Sequence, residues 1–459
     1  MDVKISSCTG FALPVLLLSV ALTACGDKTT TSGAPLAVTL ARYNATGAPG
    51  TPDTSFGPQG VVMTDVNASQ DDIAFAVVLQ PGGKIIAVGT SFTAPASIVV
   101  IRYNANGTLD STFGSNGNGI TVTSLPLADA SAFAATLDAD GKLLVAGRSI
   151  ASSGATGFLL LRYHTNSNLI TGTPGTLDTA GFNSPLGYVA TPIPSGTETS
   201  ANGIALSGTN ILLAGQSKIG GKFQIVLAQY TPTGALDTTG FGGGTGIVTT
   251  PIGALDAAAA ALAVQPLDGK IVVAGLAGNA FTNVWDAALL RYNANGTLDL
   301  PFGGTNTGMA ITDIGLSSNY ANAVALQADG KIVVAGNAFA NPSANTSDIA
   351  VLRYNTDGTL DTTGFGSPNG YVTTSIGAFD NGFAVAVQTD NKIVVAGNAD
   401  AGVGDRLALL RYNADGSPDL GFGTAGIVTR AASGPSIIAG AFGVALQPSD
   451  GAIVVVGYD

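Results

Sequence analysis

Seven copies of one motif dominate the chain. Near residue 291 the sequence reads LLRYNANGTLDLPFG, near 353 VLRYNTDGTLDTTGFG and near 411 LLRYNADGSPDLGFG, and a second motif, LQADGKIVVAG at 326, lies between these copies. Each copy must be one supersecondary unit, because a single copy cannot bury its own apolar face. The repeat therefore constrains the architecture more strongly than any individual residue does.

Both motifs recur about every 60 residues. The arginine of the Arg-Tyr pair stands at Arg42, Arg102, Arg162, Arg291, Arg353 and Arg411, and Gln229 replaces it in the third complete unit. The glycine that closes the second motif stands at Gly89, Gly147, Gly215, Gly275, Gly336, Gly397 and Gly457. This period is too long for most helical solenoids and matches four short strands with their turns, the content of one propeller blade.

Each unit shows four strand patterns and no amphipathic helix. Within residues 321–374 the candidate strands are ANAVALQ, KIVVAG, DIAVLRYN and GYVTT. Asp-Gly, Asn-Gly and Gly-Gly pairs supply the positive φ angles of tight hairpins. With 63 glycines in 459 residues, the composition favours a turn-rich, all-β chain.

The two ends of the chain interrupt the repeat at complementary points. The repeats begin on a third strand, VTLARYN at 38–44, and finish on a second strand, AIVVVGYD at 452–459. A linear stack would leave both halves with bare edges, whereas a ring lets them pair. We therefore predict that residues 37–459 form a seven-bladed β-propeller with four antiparallel strands per blade, closed by two N-terminal and two C-terminal strands.

The first strand of each unit alternates small and large apolar residues. Ala321, Ala323 and Ala325 are separated by larger or amide side chains, and Ala441, Gly443 and Ala445 show the same pattern. Such alternation suits a strand that packs between neighbouring blades near a crowded axis. It also weakens an enzymatic interpretation, because the strand nearest the channel carries almost no ionisable side chain.

The motifs ALQADGKIVVAG and LLRYNADGSPDLGFG resemble the delta-60 repeat of bacterial, often secreted or surface, proteins, and more distantly the NHL class of propeller repeats. The resemblance covers roughly residues 37–459. It implies a propeller in an extracytoplasmic setting and implies no reaction. The third complete unit departs most, with Gln229 and the segment ALSGTNILLAG, which lacks the Asp-Gly-Lys turn.

The first 24 residues have the pattern of a bacterial lipoprotein signal peptide. FALPVLLLSVA at 11–21 is too short to span a bilayer as a mature anchor, and LTAC at 22–25 resembles a lipobox. Cys25 would then be lipidated, and residues 25–36 would form a polar linker. The alternatives are an ordinary cleaved signal and an uncleaved membrane segment. Because Gly26 is not an aspartate, we expect an outer-membrane or cell-surface location.

Charge restricts the possible partners. The chain has 18 Lys and Arg against 30 Asp and Glu, a net charge of −12. Most arginines belong to the repeated Arg-Tyr pairs, so no basic stripe remains for nucleic acid. An acidic propeller should also be repelled by anionic lipid headgroups, so that a lipid anchor would be its only membrane contact.

The repeated arginine has a structural interpretation. Arg291 precedes Asp299 by eight residues, and the same two residue types recur together in six units. A group that is present in nearly every blade is typical of a scaffold, since active sites rarely need the same group seven times. We predict an Arg-Asp pair that stabilises the turn between the third and fourth strands.

The units differ mainly in the loops that join second to third strands. Segments such as SFTAPAS at 91, SIASSGATG at 149 and NAFANPSANTSD at 337 vary in length and chemistry. Loops on a rigid scaffold often carry recognition, so their face is the candidate binding face. The alternative is that these loops vary because nothing selects them.

Acidic residues precede the first strands and are predicted to ring the mouth of the channel. The candidate ring contains Asp72, Asp129, Glu198, Asp256 and Asp380, with Asp71 beside Asp72. Oxygen ligands suit Ca²⁺, yet this ion takes six to eight oxygens at about 2.3–2.6 Å, and groups spread round a ring do not converge so closely. The ring is therefore either a Ca²⁺ site or a set of solvated turns.

Two aromatic residues and one histidine complete the candidates. Phe281 and Trp285, the only tryptophan, could form a platform for a sugar or peptide, or could pack over a blade edge. His164 replaces the asparagine of the RYN motif, where a local hydrogen bond is expected. A single histidine supports neither a zinc site nor a catalytic triad.

The sequence favours a monomeric, membrane-tethered and non-catalytic binding or structural propeller without a cofactor. Its variable loops would hold a glycan, peptide or protein partner. The alternative is a metal-dependent propeller hydrolase or lyase with its site at the channel mouth, an idea that rests on fold analogy. Convergence of Asp, Glu and Asn side chains, including Asn202 and Asn322, in one cavity would favour the enzyme.

Overall fold

The computed structural model describes residues 35–166, 172–279, 284–315, 317–341, 346–400, 404–431 and 439–459, without the side chains of 340 and 341. In these residues, 28 strands form seven four-stranded antiparallel sheets. The chain enters on β1 (Val38–Tyr43) and β2 (Val61–Thr64). Six sheets then follow in chain order, and we number them blades 1 to 6.

The strands of the six continuous blades have the following bounds. Blade 1 contains β3 (Asp72–Leu79), β4 (Ile85–Ser91), β5 (Ser97–Tyr103) and β6 (Ile120–Thr123), and blade 2 contains β7 (Asp129–Leu137), β8 (Leu143–Ile150), β9 (Thr156–Tyr163) and β10 (Tyr188–Pro192). Blade 3 contains β11 (Gly196–Ser207), β12 (Asn210–Ile219), β13 (Lys222–Tyr230) and β14 (Ile247–Thr250), and blade 4 contains β15 (Ala257–Val264), β16 (Ile271–Asn279), β17 (Val284–Tyr292) and β18 (Met309–Thr312). Blade 5 contains β19 (Asn319–Leu326), β20 (Ile332–Asn341), β21 (Thr346–Tyr354) and β22 (Tyr371–Thr374), and blade 6 contains β23 (Asp380–Val387), β24 (Ile393–Asp400), β25 (Asp405–Tyr412) and β26 (Ile427–Arg430).

Blade 7 joins the two ends of the chain. Its strands follow the order β2-β1-β28-β27, where β27 is Gly440–Leu446 and β28 is Ile453–Tyr458. β1 pairs with β28 from Val38 opposite Tyr458 to Tyr43 opposite Ile453. The predicted seven-bladed propeller and its closure by two strands from each end are confirmed. Because β1 and β28 pair, neither of the two half-blades at the chain ends leaves a bare sheet edge at this junction.

Helical structure is confined to short turns in the described residues. They lie between the third and fourth strands of blades 7, 3 and 5, at Pro58–Gly60, Phe241–Gly244 and Gly366–Gly370. Among the residues that the structure describes, none belongs to a helix with the length and hydrophobicity needed to cross a membrane.

The core consists of apolar layers between adjacent blades. Ile271 and Val273 of β16 pack in a cluster shared with blade 3, whereas Val272 and Ala274 pack in a cluster shared with blade 5. Alternate residues of a strand point to opposite faces of its sheet. A second strand that is buried on both faces must therefore be apolar throughout, and this requirement explains the repeated IVVAG sequence.

Every first strand contains a β-bulge at the same position. In blade 4, Ala259 pairs with Gly275 and Ala261 pairs with Ala274, so that Ala260 is the extra residue. A Cβ atom at Gly275 would overlap the carbonyl oxygen of Ala258, and the closing glycines of the other six blades face the equivalent carbonyl. The bulge therefore explains why this position is glycine in all seven units.

The predicted Arg-Asp pair is present in the six blades that carry the arginine. In blade 4, Arg291 Nε lies 2.6 Å from Asp299 Oδ2, and Lys270 Nζ lies 2.9 Å from the same oxygen. The guanidinium also stacks on Phe302, with 4.4 Å from its carbon to the ring centre. Lysine, arginine and aspartate meet in this way in blades 1, 2, 4, 5 and 6. We call this group the charged cluster.

Blade 3 lacks the charged cluster, because both of its cationic positions carry neutral residues. Asn210 takes the place of the lysine and Gln229 takes the place of the arginine, while Asp237 is retained. Asn210 Nδ2 donates to Asp237 Oδ2 at 2.9 Å. In this unit Asp237 therefore has a neutral side-chain partner, whereas the equivalent aspartates of the other blades have charged partners.

Two kinds of side-chain contact join most neighbouring blades. The arginine of one blade donates to a backbone carbonyl in the next, as in Arg411 Nη1 to Ala45 O at 2.8 Å. The tyrosine of the Arg-Tyr pair bonds a threonine hydroxyl at the end of the preceding blade, as in Tyr292 Oη to Thr250 Oγ1 at 2.8 Å. Six such tyrosine-threonine bonds occur among the described residues. At the seventh junction Arg430 stands in place of threonine opposite Tyr43.

Candidate functional site

The propeller has two chemically different ends. We call the end with the turns between first and second strands and between third and fourth strands the hairpin face. The end with the connections between second and third strands and between blades is the loop face. The charged clusters lie at the hairpin face, and the variable loops lie at the loop face. The repeated Arg, Lys and Asp side chains therefore stabilise the hairpin face.

Exposed large apolar side chains are found away from the loop face in the described residues. Five leucines lie in the turns of the hairpin face, and Leu267 and Leu420 are 96% and 75% exposed. The other three are Leu109, Leu186 and Leu300. Met63, Val122 and Ile311 are exposed on outer strands. Apolar exposure alone therefore does not mark the loop face as a binding surface.

Charge distinguishes the loop face from the hairpin face. In the described residues the loop face carries thirteen carboxylate side chains and five cationic side chains. The acidic residues are Asp65, Asp71, Asp72, Asp129, Glu198, Asp256, Asp286, Asp313, Asp348, Asp380, Asp400, Asp405 and Asp459. The cationic residues are Arg148, Lys218, Lys222, Arg406 and Arg430. Most of the net negative charge of the chain is thus concentrated at this end.

The acidic residues that precede the first strands mainly bind their own loops. Asp72 is buried and accepts from the amides of Val66 and Asn67, both at 2.9 Å. Asp380 is also buried and accepts from the amides of Ile376 and Gly377. Burial raises the pKa of both carboxyl groups. Each of these aspartates holds the connection that enters its blade.

The other members of the predicted ring have separate partners. Asp129 accepts from the Ala96 amide at 3.0 Å and lies 3.3 Å from Arg148. Asp256 accepts from the Phe223 amide at 2.7 Å, and Glu198 pairs with Lys218 at 2.8 Å on the surface. Within the described part of the chain, no three His, Cys, Asp or Glu side chains are placed to share a metal ion. The described residues therefore give no geometric support to a Ca²⁺ ring, and each of these acidic groups has its own hydrogen-bond or ion-pair partner.

Three further candidates have different positions. Trp285 is partly buried and packs against a cluster formed by Ala258, Leu276 and Tyr320 between blades 4 and 5. His164 is buried with Nε2 3.4 Å from Asp178 Oδ1, and burial lowers its pKa. Phe281 and Cys25 lie outside the described residues, so the structure does not place them.

The bulges converge on the central channel. Their seven extra residues line one cavity of about 280 Å³ together with the two residues that follow each of them. We call these seven residues the channel ring: Phe75, Phe133, Asn202, Ala260, Asn322, Phe383 and Phe442. No residue that lines this cavity is ionisable.

The channel ring is divided into two sides. Phe383, Phe442, Phe75 and Phe133 come from the consecutive blades 6, 7, 1 and 2 and form the phenylalanine arc, with neighbouring ring centres 5.0–5.6 Å apart. Asn202, Ala260 and Asn322 come from blades 3, 4 and 5 and form the amide arc. The two asparagines were visible in the sequence pattern of the first strands, whereas the bulge that places them at the channel was not. The signal was the glycine that recurs seven times opposite the bulge.

The hydrogen bonds of the amide arc leave one acceptor open. Asn202 Nδ2 donates to Ala259 O at 2.8 Å, and its Oδ1 accepts from Ser200. Asn322 Nδ2 donates to Gly382 O at 2.9 Å and lies 3.0 Å from Asn337 Oδ1. Asn322 Oδ1 is buried and has no hydrogen-bond partner in the structure.

Comparison with known protein families agrees with the observed repeat. Six segments match the model described as the domain of unknown function DUF5122 β-propeller: residues 80–113, 139–169, 210–239, 267–302, 327–363 and 388–422. The chain carries DUF5122 β-propeller repeats. Each matched segment covers the second and third strands of one of blades 1 to 6, whereas in blade 7 these two strands come from opposite ends of the chain.

Similar solved structures are distant. A protein of unknown function from Dyadobacter fermentans is 11% identical at a TM-score of 0.35, with 93% of this chain and 99% of that chain covered. An ulvan lyase of polysaccharide lyase family PL25 is 13% identical at 0.41, with 78% and 83% covered, and Sqt1 from Chaetomium thermophilum is 12% identical at 0.41, with 84% and 94% covered. No curated protein sequence matches the chain. At these TM-scores the likenesses carry no inference about ligand or reaction.

Proposed function

We propose that the chain is a non-catalytic binding propeller, tethered to the outer membrane or cell surface through Cys25, whose loop face holds a partner. The observation that supports the proposal is that the two ends of the propeller have different roles. The repeated charged groups and tyrosines are engaged in contacts within and between blades, while the variable loops share the opposite end. Such a scaffold fixes the relative positions of seven sets of loops.

Charge favours a cationic partner at this face. Asp65, Glu198 and Asp313 are exposed there, and acidic residues outnumber basic ones. A surface of one sign accelerates the encounter with a surface of the opposite sign and discriminates against like charge. A basic peptide segment or basic protein surface therefore fits this face better than an uncharged glycan.

The position of the N-terminal segment constrains the tether. Leu36 is buried at the loop face, where its amide donates to Asp71 Oδ1 at 2.8 Å and its side chain packs with Phe75 and Tyr458. Ten residues separate Cys25 from Leu36. A chain of this length spans at most about 35–40 Å. A lipid on Cys25 would therefore hold the loop face toward the membrane, and partners in the same membrane or close to it are favoured.

Partner capture tests the assignment of the binding face. The bait is the chain from Gly26 onward, used with native envelope extracts at low and high salt. In a loop-shortened variant, residues 151–155 and 280–283 are each replaced by Gly-Gly, because blade 3 joins the same two strands through Gly220-Gly221 alone. The matched control changes Leu267, Leu300 and Leu420 on the hairpin face to threonine.

We expect the loop-shortened variant to lose a salt-sensitive partner that the hairpin-face control retains. Loss from the control alone would place binding at the exposed leucines and would overturn the assignment. The tether is tested separately by palmitate labelling of cells, which Cys25→Ala should abolish. Labelling that survives this substitution would exclude the proposed anchor without affecting the binding face.

A further inference from the structure

A buried histidine lies at the base of one turn of the hairpin face in blade 2. His164 directly follows β9 and is 1% exposed. We propose that proton binding to His164 releases residues 172–176 from the end of β9 and from blade 1, so that this part of the hairpin face opens in acid. The proposal concerns the end of the propeller opposite the variable loops and does not depend on a partner at the loop face.

Blade 2 differs from the other blades in the length of this turn. In blade 4 the Asn293 amide donates to Thr297 O at 2.8 Å, four residues along the chain, whereas the His164 amide donates to Thr176 O at 2.9 Å, twelve residues along. Five blades carry asparagine at this position, and its Nδ2 donates to a hydroxyl of the same turn. In blade 2 the imidazole takes the place of that amide, and a Cβ atom at Gly172 would overlap the ring. Histidine therefore replaces asparagine where the longer turn is closed.

The hydrogen-bond partners of His164 suit a neutral imidazole. Its Nε2 lies 3.4 Å from Asp178 Oδ1, whereas Nδ1 is buried and has no hydrogen-bond partner among the described residues. An imidazolium carries an N–H group on both nitrogens. Protonation in the closed turn would therefore add an unpaired donor and a charge to a buried side chain, and both changes are unfavourable.

The charges around His164 are balanced while the ring is neutral. Asp178 Oδ2 accepts from Lys142 Nζ at 2.6 Å and from Arg162 Nε at 2.9 Å, and Asp138 lies 3.7 Å from Arg162 Nη1. Two cations thus face two carboxylates, and an imidazolium would be a third cation. Burial and the charges of Lys142 and Arg162 lower the pKa of His164, although Asp178 opposes them. The other charged groups nearby are exposed Asp140 in the turn that contains Asp138, and the blade 1 cluster of Lys84, Arg102 and Asp110, in which Arg102 donates to Thr165 O.

The base of the turn also joins blade 2 to blade 1. The Gly114 amide donates to Pro174 O at 2.9 Å, and Thr121 Oγ1 donates to Gly175 O at 3.0 Å. The Gly175 amide in turn donates to His164 O at 2.7 Å. Because the imidazole is buried within these contacts, it binds a proton more readily when they are broken, and the proton then stabilises the open form. Proton binding and the loss of the contact with blade 1 are therefore coupled.

Two measurements on the untagged chain from Gly26 onward test the coupling. The sequence contains one histidine, so the imidazole signal in NMR spectra belongs to His164, and it should titrate below the ordinary value of 6.5. Over the same pH range, the hydrogen-exchange protection factor of the Gly175 amide should fall by about tenfold for each unit that separates the pKa of His164 from 6.5. The Gly296 amide is the internal control, because it makes the equivalent bond to Asn293 O at 2.9 Å in blade 4. Changes in global stability affect both amides, whereas the proposed opening affects Gly175 alone.

One variant separates His164 from the neighbouring carboxyl groups. The pKa of Asp178 is held below its ordinary value, but burial raises the pKa of Asp138, so that Asp138 also titrates in mildly acidic solution. His164→Asn, which introduces the residue type of five other blades, should remove the acid-dependent loss of protection at Gly175. Loss that survives this substitution would assign the effect to Asp138 and overturn the proposal.

The unsubstituted chain decides the question even if His164→Asn fails to fold. A pKa of His164 at or above 6.5 would show that the closed turn stabilises the imidazolium, and this result would overturn the proposal. An equal pH dependence of protection at Gly175 and Gly296, or none at either amide, would overturn it as well.

Discussion

Arg291 Nε lies 2.6 Å from Asp299 Oδ2, and both side chains are no more than a tenth exposed. Lys270 approaches the same oxygen, so that one carboxylate pairs with two cations, one from the turn before the second strand of blade 4 and one from its third strand. Burial alone would raise the pKa of Asp299, but the hydrogen bonds and charges of Lys270 and Arg291 outweigh it and hold this pKa below its ordinary value. The cluster therefore depends on the negative charge of Asp299.

Removal of Asp299 should destabilise the protein far more than removal of its equivalent in blade 3. Asp299→Ala leaves Arg291 buried without a counter-charge, and we expect a loss of about 3 kcal/mol in the free energy of unfolding. Asp237→Ala is the matched control, because the carboxylate partners Asn210 and Thr239 are neutral, and about 1 kcal/mol is expected. Urea unfolding measures both. Equal losses would show that charge neutralisation is not the role of the cluster.

The tyrosine hydroxyls should contribute unequally around the ring. Tyr292→Phe removes the bond to Thr250 and leaves that hydroxyl buried, at a cost of about 1 kcal/mol. Tyr43 Oη is buried without a hydrogen-bond partner in the structure, and burial raises its pKa to about 12. Tyr43→Phe should therefore leave the melting temperature nearly unchanged or raise it. A loss at Tyr43 as large as that at Tyr292 would contradict this assignment.

The bulge glycine should be among the least tolerant positions. Gly275→Ala places a methyl group on the carbonyl oxygen of Ala258, which requires the first two strands of blade 4 to separate, and we expect a loss of more than about 2 kcal/mol. Gly315→Ala is the control, because a methyl group there meets no atom within 4 Å and its φ is not in the left-handed region. Comparison of the two melting temperatures tests the bulge directly. Similar values would show that the strands absorb the methyl group.

The repeat period was sufficient to predict the ring, because each period contains one complete blade and the two ends have complementary halves. The pairing of Arg291 with Asp299 was also predictable, since both residues lie in one repeat. The bulge at Ala260 was not predicted, because it depends on the register between two strands rather than on the pattern within one. The bond from Tyr292 to Thr250 was missed for a related reason, since it joins residues of neighbouring blades.

The candidate site was harder to predict than the fold. Asp72 and Asp380 were expected at the channel mouth, but a sequence does not show that backbone amides of their own loops bind them. The division of the channel ring also required the order of blades around the axis. Phe383 and Phe133 are 250 residues apart in the chain, yet they belong to one arc because blade 7 closes between them.

Stability should be greatest in mildly acidic solution. Burial raises the folded-state pKa of Asp72 and Asp380 above the ordinary value of 3.8, so their ionisation opposes folding at neutral pH, and this penalty disappears as the pH falls through their folded pKa. Asp299 and Asp361 have lowered folded-state pKa values, so their contribution is present above pH 3.8 and is lost as the pH falls through the lowered pKa. The melting temperature measured from pH 8 to pH 2 should therefore rise, pass through a maximum above pH 3.8, and fall.

Two variants test the rise and the fall of the melting temperature separately. Asp72→Asn combined with Asp380→Asn should flatten the rise in melting temperature between neutral and mildly acidic pH. The two asparagines are neutral at every pH, so no penalty for a buried charge is left to be relieved by acid. Asp299→Asn should reduce the fall below pH 3.8, because part of the stabilisation that acid removes is already absent. If the double variant retains the full rise, groups other than Asp72 and Asp380 cause it, and the raised pKa of these two carboxyl groups would not be what limits stability at neutral pH.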